Sequence, residues 1–148
     1  MICCSFGHRD LYINLEPSLT EHLENLILND ENLIFYTGGM GATDSAFVSA
    51  VARLRSKNHK VKLMLVIPYL TNELNEHKDY YENLYDDIIM PEELIGVHYK
   101  SAIEKRNKWM IDNSDVIFDA TYREFGGAYK AIKYALKQSK RVIKLTKK

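Results

Sequence analysis

A glycine-rich turn is the segment whose residue types and spacing most clearly fit ligand chemistry. It reads Thr37-Gly38-Gly39-Met40-Gly41-Ala42-Thr43-Asp44 and follows a short apolar run. Glycines let a backbone turn tightly and approach a ligand, and the free N–H groups at the start of a following helix favour an anion. Asp44 falls where that helix begins, so it suits a helix cap or a contact with a ribose hydroxyl. The pattern predicts a phosphate-binding turn, and the simpler alternative is a turn that only shortens a strand-to-helix connection.

Two further polar loops follow predicted strands. The apolar run at residues 1–6 ends in Gly7-His8-Arg9-Asp10, and the strand predicted at 116–118 leads to a loop at 121–127 that ends in Gly126 and Gly127. In a parallel α/β sheet, ligands lie outside the carboxyl ends of the strands. We therefore expect these two loops and the glycine-rich turn to meet at one crevice.

Strands and helices alternate along the whole chain. Strands are predicted at 1–6, 33–37, 61–67, 88–90, 116–118 and 141–145, and a helix at 101–112. A capping box of Ser18 and Glu21 predicts a helix from there to about residue 29. Alternation of this kind predicts an α/β, three-layer, Rossmann-like fold with a mostly parallel sheet and helices on both faces, in a single domain over residues 1–148.

Apolar residues at helical spacing identify the faces expected to be buried. They are Leu19, Leu23, Leu26 and Ile27 in the first helix, Phe47, Ala50, Val51 and Leu54 in the second, Ile103, Met110 and Ile111 in the helix at 101–112, and Ala131, Ile132, Ala135 and Leu136 in the last. The acidic segment at 71–93 is predicted to be a helix with a loose flank. Its Tyr80, Tyr81 and Tyr85 fit amphipathic packing with hydroxyls in water better than a platform for stacking bases.

Charge and composition exclude several classes of protein. Twenty basic and twenty acidic side chains give a formal net charge of zero, so no global field draws the chain to nucleic acid or to an anionic membrane. No apolar run has the length of a membrane span and the start resembles no signal peptide, so we expect a cytoplasmic protein. Cys3 and Cys4 are adjacent in a predicted strand, where their side chains point to opposite faces and cannot pair. The five histidines show no zinc spacing, so no metal and no cofactor are expected.

The order of four segments resembles the YpsA-like branch of the SLOG superfamily, Rossmann-like proteins related to LOG phosphoribohydrolases and to the nucleotide-binding core of DprA. The segments are Ser5-Phe6-Gly7-His8-Arg9, the turn at 37–44, Lys105-Arg106-Asn107-Lys108-Trp109-Met110-Ile111-Asp112, and Gly126-Gly127 with Tyr134-Ala135. The resemblance implies a pocket for a nucleotide or a nucleotide-derived ligand such as an ADP-ribose-like molecule. Pairing into a homodimer is also implied.

The resemblance places specific residues around that pocket. Gly7, His8 and Arg9 would line one wall, and Gly38, Gly39, Gly41, Thr43 and Asp44 the phosphate side, with Gly126 and Gly127 nearby. Arg106 and Asn107 would project from their helix, and Arg106 is the expected ionic contact to phosphate because its fork presents several donors in fixed geometry. The alternative for Arg106 is a salt bridge on a solvated helix face.

The chain departs from the LOG-type hydrolases at the catalytic carboxylate. Those enzymes carry Pro-Gly-Gly-x-Gly-Thr followed by a Glu, whereas this chain reads Phe125-Gly126-Gly127-Ala128-Tyr129-Lys130. Cleavage of a glycosidic bond needs a carboxylate at the sugar, for which Asp44, Asp119 and Glu124 are the candidates.

Three functions follow from these observations. The leading hypothesis is a sensor or regulatory module that binds a nucleotide-derived small molecule. The second is a hydrolase or transferase that acts on the N-glycosidic bond of nucleoside monophosphates. The third and weakest takes the basic residues Lys137, Lys140, Arg141, Lys144, Lys147 and Lys148 as a surface for single-stranded DNA, although helix-end lysines and a solvated tail explain these charges more simply.

Overall fold

The computed structural model of the chain describes residues 1–8, 14–29, 32–39, 41–57 and 59–145. The predicted site residue Arg9 lies outside these ranges. The strands are β1 (Ile2–Gly7), β2 (Leu33–Thr37), β3 (Val61–Val66), β4 (Asp87–Ile89), β5 (Val116–Ala120) and β6 (Arg141–Lys144). The helices are α1 (Glu16–Asn29), α2 (Gly41–Ser56), α3 (Asn72–Glu76), α4 (Lys78–Leu84), α5 (Tyr99–Asp112) and α6 (Gly127–Lys137), with one 3-10 turn at Glu92–Leu94.

The six strands form one sheet in the order β4-β3-β2-β1-β5-β6, and every neighbouring pair is parallel. Apolar residues of α1 and α2 pack on one face of the sheet, and those of α5 and α6 pack on the other. This architecture confirms the predicted three-layer, Rossmann-like α/β fold. None of the helices in the described ranges is both long enough and apolar enough to cross a lipid bilayer.

The strand order reverses next to β1. The chain places β2, β3 and β4 successively on one side of β1, then crosses over through α5 and places β5 and β6 on the other side. The connections leaving the carboxyl ends of neighbouring strands diverge at such a point and leave a crevice between them. The fold therefore fixes a crevice where β1 ends, beside the start of α2.

Cys3 and Cys4 lie on opposite faces of β1, as predicted. Cys3 belongs to the core on the α1 and α2 face, and Cys4 to the core on the α5 and α6 face. Both thiols are free and fully buried, and burial raises the pKa of each to about 12. They are packing residues of the central strand.

The first helix begins two residues earlier than its predicted capping box. The side chain of Asn14 accepts a hydrogen bond from the backbone N–H of Glu16 at 3.1 Å, and the carbonyl of Leu15 accepts one from Leu19 at 2.9 Å. Asn14 therefore supplies the capping oxygen that was assigned to Ser18, which lies inside the first turn.

Two other predictions need correction. The tyrosine-rich segment forms two short helices with a break at His77, and the first is capped by Thr71, whose Oγ1 accepts the N–H of Leu74 at 3.3 Å. Tyr85 follows α4 instead of lying within the predicted helix, and its side chain packs in the core. Leu136 is 59% exposed because it lies roughly 140° around α6 from Ala131, beyond the buried face.

Candidate functional site

A cavity of about 300 Å³ lies at the crevice beside the end of β1. This volume is at the lower end of the range found for small-molecule pockets. Five parts of the chain contribute its wall, namely the end of β1, the turn after β2, the start of α2, one face of α5 and the start of α6. The residues are Ser5, Phe6, Gly7, His8, Gly38, Thr43, Asp44, Ile103, Arg106, Asn107, Met110, Gly127 and Ala128.

Arg106 brings a buried cation to this cavity. Its side chain lies on α5 and the residue is only 4% exposed, so the alternative of a solvated helix face does not hold. Nη1 donates to the carbonyl of Val66 at 3.0 Å, and Nε donates to Oδ1 of Asn107 at 3.0 Å. Burial lowers the pKa of Arg106 and the nearby Asp44 opposes that shift, but an arginine stays protonated in proteins. The guanidinium is thus a permanent positive charge in the cavity wall with little exposure to solvent.

Gly38 makes room for this guanidinium. A Cβ atom built on Gly38 would lie 3.0 Å from both Cζ and Nη1 of Arg106, which is closer than ordinary van der Waals contact. The next residue, Gly39, has a φ of +70°, a conformation that glycine adopts without strain. The two glycines therefore have separate roles, one in packing against Arg106 and one in turning the backbone.

Thr37 connects the glycine-rich turn to Asp44. Its Oγ1 donates to Oδ1 of Asp44 at 3.0 Å and accepts the backbone N–H of Gly39 at 3.1 Å. Since α2 begins at Gly41, Asp44 lies in its first turn. The carboxylate is held at the cavity wall by a neighbour on β2, and it also faces a smaller cavity lined by Gly39 and Tyr85.

Two hydroxyls in the cavity wall have no hydrogen-bond partner within the described part of the chain. They are Oγ of Ser5 and Oγ1 of Thr43, on residues that are 3% and 2% exposed, and below they are called the unpaired hydroxyls. A buried hydroxyl without a partner costs about 1–3 kcal/mol, so native proteins rarely leave one. The residues of the wall therefore carry hydrogen-bonding capacity that the described part of the chain leaves unused.

Gly7 allows β1 to approach α2 closely at this point. A Cβ atom on Gly7 would lie 2.0 Å from Oγ1 of Thr43 and 3.0 Å from Cβ of Ala120. Real atoms never come so close, so position 7 admits only glycine while Thr43 stays where it is. This contact defines the inner edge of the cavity.

His8 joins the end of β1 to the loop after β5. Its Nε2 accepts the backbone N–H of Arg123 at 3.0 Å, and its ring meets the edge of Tyr122 with centroids 4.7 Å apart. The hydrogen bond requires an unprotonated Nε2. Contact of His8 with this loop positions the start of α6, where Gly127 reaches the cavity.

The three candidate carboxylates differ in their surroundings. Asp44 lines the cavity. Asp119 lies at the end of β5, where its Oδ1 accepts the backbone N–H of Thr121 at 2.8 Å and the Oγ1 hydroxyl of Thr121 at 2.6 Å. Glu124 is exposed, and neither it nor Asp119 is among the residues that line the cavity.

Most of the predicted ligand-binding residues meet at the cavity: Gly7, His8, Gly38, Thr43, Asp44, Arg106, Asn107 and Gly127. Gly39 lines the smaller cavity beyond Asp44, Gly41 begins α2, and Gly126 has a φ of +95° and precedes α6 outside the lining. Sequence reasoning missed the wall residues Ser5, Phe6, Ile103, Met110 and Ala128 as part of the site. A serine inside an apolar strand, two residues before Gly7, was the available signal for Ser5.

The described residues include no group of three or more His, Cys, Asp or Glu side chains arranged to hold a metal ion. Among the described residues that line the cavity, Arg106 is the one with a lysine or arginine cation.

No model of a known protein family matches the chain. A similar protein is the uncharacterized SPbeta prophage-derived protein YoqJ of Bacillus subtilis (strain 168). The two are 28% identical over an alignment 140 positions long, and the match covers 84% of this chain and 82% of YoqJ.

Solved structures with the same fold include two of DNA processing protein A (DprA). The Helicobacter pylori protein, studied for its single-stranded DNA binding mode, matches 100% of this chain over 66% of its own, with a TM-score of 0.67 and 17% identity. The Streptococcus pneumoniae protein matches 96% of this chain over 49% of its own, with the same TM-score and identity. The chain thus spans about two thirds and about half of these proteins.

A third solved structure, that of protein TM1055, matches 95% of this chain over 71% of its own, with a TM-score of 0.56 and 12% identity. The three neighbours share the Rossmann-like α/β arrangement described above. The chain has the fold of the matched part of DprA.

Proposed function

We propose that this protein binds a nucleotide-derived small molecule in the cavity beside β1 and acts as a sensor or regulatory module. The observation that carries the proposal is the pair of unpaired hydroxyls on Ser5 and Thr43, in the wall of the cavity that the buried Arg106 also lines. A phosphorylated ligand offers acceptors to the two hydroxyls and a negative charge to the guanidinium. Its binding would offset the desolvation cost that the unliganded wall carries.

The charges in the wall orient such a ligand. Arg106 and the N–H groups at the start of α6 favour the phosphate, because guanidinium and helix N-termini both stabilise anions. Asp44 repels a phosphate placed beside it, so a ribose hydroxyl or the N–H edge of a base is its fitting neighbour. The ligand is thus expected to place its phosphate toward Arg106 and its sugar or base toward Asp44.

A thermal-shift screen tests this proposal, because a ligand that binds only the folded state raises the melting temperature. The panel is AMP, ADP-ribose, NAD and cyclic nucleotides, with Thr43→Val as the site variant. Thr20→Val is the matched control, since Thr20 is a buried threonine of α1 whose hydroxyl donates to the carbonyl of Glu16. We expect a shift in the parent and the control that Thr43→Val reduces, and no shift with any ligand would refute the proposal.

Cleavage of an N-glycosidic bond is the second candidate function. It is favoured by one observation, the carboxylate of Asp44 in the cavity wall, because Asp119 is engaged by Thr121 and Glu124 lies outside the lining. The test is release of free base from nucleoside monophosphates by the parent and by Asp44→Asn. Equal release by both proteins would eliminate Asp44 as the catalytic carboxylate.

Binding of single-stranded DNA is a third candidate, suggested by the fold shared with DprA. The basic residues proposed for it divide between the two ends of the sheet. Lys137 ends α6, Lys140 follows it and Arg141 begins β6, whereas Lys144 ends β6 on the side of the cavity. Lys140 donates to the carbonyls of Asp112 and Ser114, and Lys147 and Lys148 lie outside the described residues. Oligonucleotide binding that weakens steeply with salt would support this candidate.

The finer assignments stay predictions. They are membership of the YpsA-like branch, a single domain over residues 1–148, a cytoplasmic location and a homodimer. Light scattering on the purified protein tests the homodimer directly.

A further inference from the structure

A second cavity, of about 180 Å³, lies between α5 and α6 and adjoins the site. It shares Ile103, Asn107 and Gly127 with the first cavity, so a ligand passing between these residues reaches both. We call it the α5–α6 groove. Its lining is Lys100, Ile103, Glu104, Asn107, Lys108, Gly127, Lys130, Ala131 and Tyr134.

The groove concentrates positive charge in a chain whose net charge is zero. Lys100 and Lys108 come from α5 and Lys130 comes from α6, so the ammonium groups approach from both sides. Glu104 is the one carboxylate among the lining residues, and it pairs with Lys108 at 3.7 Å. The charges of Lys100 and Lys130 are therefore in excess over the carboxylates of the groove.

Between these lysines the groove has an apolar and aromatic floor. Ala131 is buried, Ile103 is half-buried, and the ring of Tyr134 lies 5.4 Å from Nζ of Lys108. Tyr134 is held in place because its hydroxyl donates to Oδ1 of Asp112 at 2.7 Å. Such a floor suits a sugar or a base, and the lysines suit a phosphate.

We propose that the ligand extends from the cavity into the α5–α6 groove with a second phosphate-bearing unit, which Lys100 and Lys130 contact. This inference rests on the proposed function and names the class of ligand, a nucleotide with an anionic extension. The extension has two possible chemical sources. One is a pyrophosphate-linked ribose, as in ADP-ribose, and the other is a phosphodiester-linked second nucleotide, as in the 5′-phosphorylated dinucleotide pApA.

Calorimetry with three probes tests the groove. AMP fills only the first cavity, whereas ADP-ribose and pApA each carry one type of extension. We expect at least one extended probe to bind the parent about tenfold more tightly than AMP, as two charge-assisted contacts at an exposed site allow. The probe that gains affinity identifies the linkage.

Paired substitutions separate the groove from general electrostatics. Lys100→Gln with Lys130→Gln removes the two lysines of the groove, and Lys105→Gln with Lys133→Gln removes two exposed lysines of the same helices that do not line it. All four side chains are exposed, so folding is expected to survive both changes. The double variant of the groove lysines should bind the extended probe no more tightly than AMP, with its affinity for AMP unchanged. The double variant of the control lysines should still bind the extended probe more tightly than AMP.

Two results would overturn the inference while the proposed function stands. The first is that AMP binds the parent as tightly as ADP-ribose and pApA do. The second is that the variant with both Lys100→Gln and Lys130→Gln still binds the extended probe more tightly than AMP. If the parent binds none of the three probes, the proposed function itself fails, and the groove inference fails with it.

Discussion

The unpaired hydroxyls of Ser5 and Thr43 distinguish the wall of the cavity from an ordinary protein core. Thr37, only a few residues away on β2, shows the usual state of a buried hydroxyl, since it both donates to Asp44 and accepts from Gly39. Ser5 and Thr43 are as deeply buried and have no comparable partner among the residues that the structure describes. A comparison of Thr37 with Thr43 therefore isolates the effect of hydrogen bonding on a buried hydroxyl.

Replacing Thr43 by valine should raise the free energy of unfolding of the unliganded protein by about 1–3 kcal/mol, because it removes a buried hydroxyl that makes no bond among the described residues. Thr37→Val should cost about 1–3 kcal/mol, because it removes the hydrogen bond to Asp44 and the one from the N–H of Gly39. Urea denaturation measures both. A large loss in Thr43→Val would mean that its hydroxyl is already satisfied in the free protein.

Gly7→Ala should destabilise the protein by about 1–3 kcal/mol, since the new methyl group overlaps Oγ1 of Thr43. Thr43→Ala removes that oxygen, so the double variant should lose less stability than the two single variants together. A double-mutant cycle in urea measures this coupling. Strictly additive losses would show that the Cβ atoms of residue 43 and Ala120, which both remain in the double variant, set the limit instead.

At the scale of elements, β1 is the strand on which the site and both cores depend. It pairs with β2 and β5 and carries Cys3 and Cys4 into opposite cores. Ser5 and Gly7 near its end, and His8 directly after it, line the cavity. The residues of β1 therefore contribute to both cores and to the cavity wall.

The buried thiols of β1 give a prediction about pH. Their pKa is about 12 in the folded protein against 9.0 for an exposed thiol, so above pH 9 the unfolded chain binds fewer protons than the folded one. The contribution of the thiols to the free energy of unfolding is therefore fully present below pH 9. It falls as pH rises toward 12, by about 1.4 kcal/mol per pH unit for each thiol. Urea unfolding at about pH 8 and about pH 10 measures the loss.

Alkylation provides the independent check. Iodoacetamide should leave both cysteines unmodified in the native protein at about pH 8 and modify both in urea, because only the thiolate reacts. Rapid labelling of the native protein would contradict the burial of β1.

The elements were predictable where one pattern dominates. Short runs rich in apolar residues identified all six strands, and helical spacing identified the buried faces of α1 and α2. The starts of α1 and α3 were not predictable, because each depends on a single hydrogen bond that the side chain of Asn14 or Thr71 accepts from the backbone, in competition with equally good local alternatives. Leu136 was misassigned because spacing alone does not show how far the covered face extends.

At the scale of the whole molecule, the position of the cavity follows from the topology. Residues separated by about 100 positions in sequence, such as Gly7 and Arg106, meet because the strand order reverses at β1. The sequence indicated this meeting through three loops at strand ends and through the family resemblance. It did not indicate that Arg106 reaches the carbonyl of Val66, or that Ser5 lacks a partner among the described residues, because both depend on the tertiary packing of β3, α5 and β1.

The most direct test of the account is isothermal titration calorimetry of the parent protein and Arg106→Lys with AMP and ADP-ribose, with folding of both checked by circular dichroism. Lysine keeps the charge and removes the planar fork. We predict binding by the parent and affinity at least about tenfold weaker in Arg106→Lys, since a point charge cannot hold Val66 and a phosphate in the same geometry. Absence of binding by the folded parent, or equal affinity in the two proteins, would contradict the claim that this cavity is a nucleotide site.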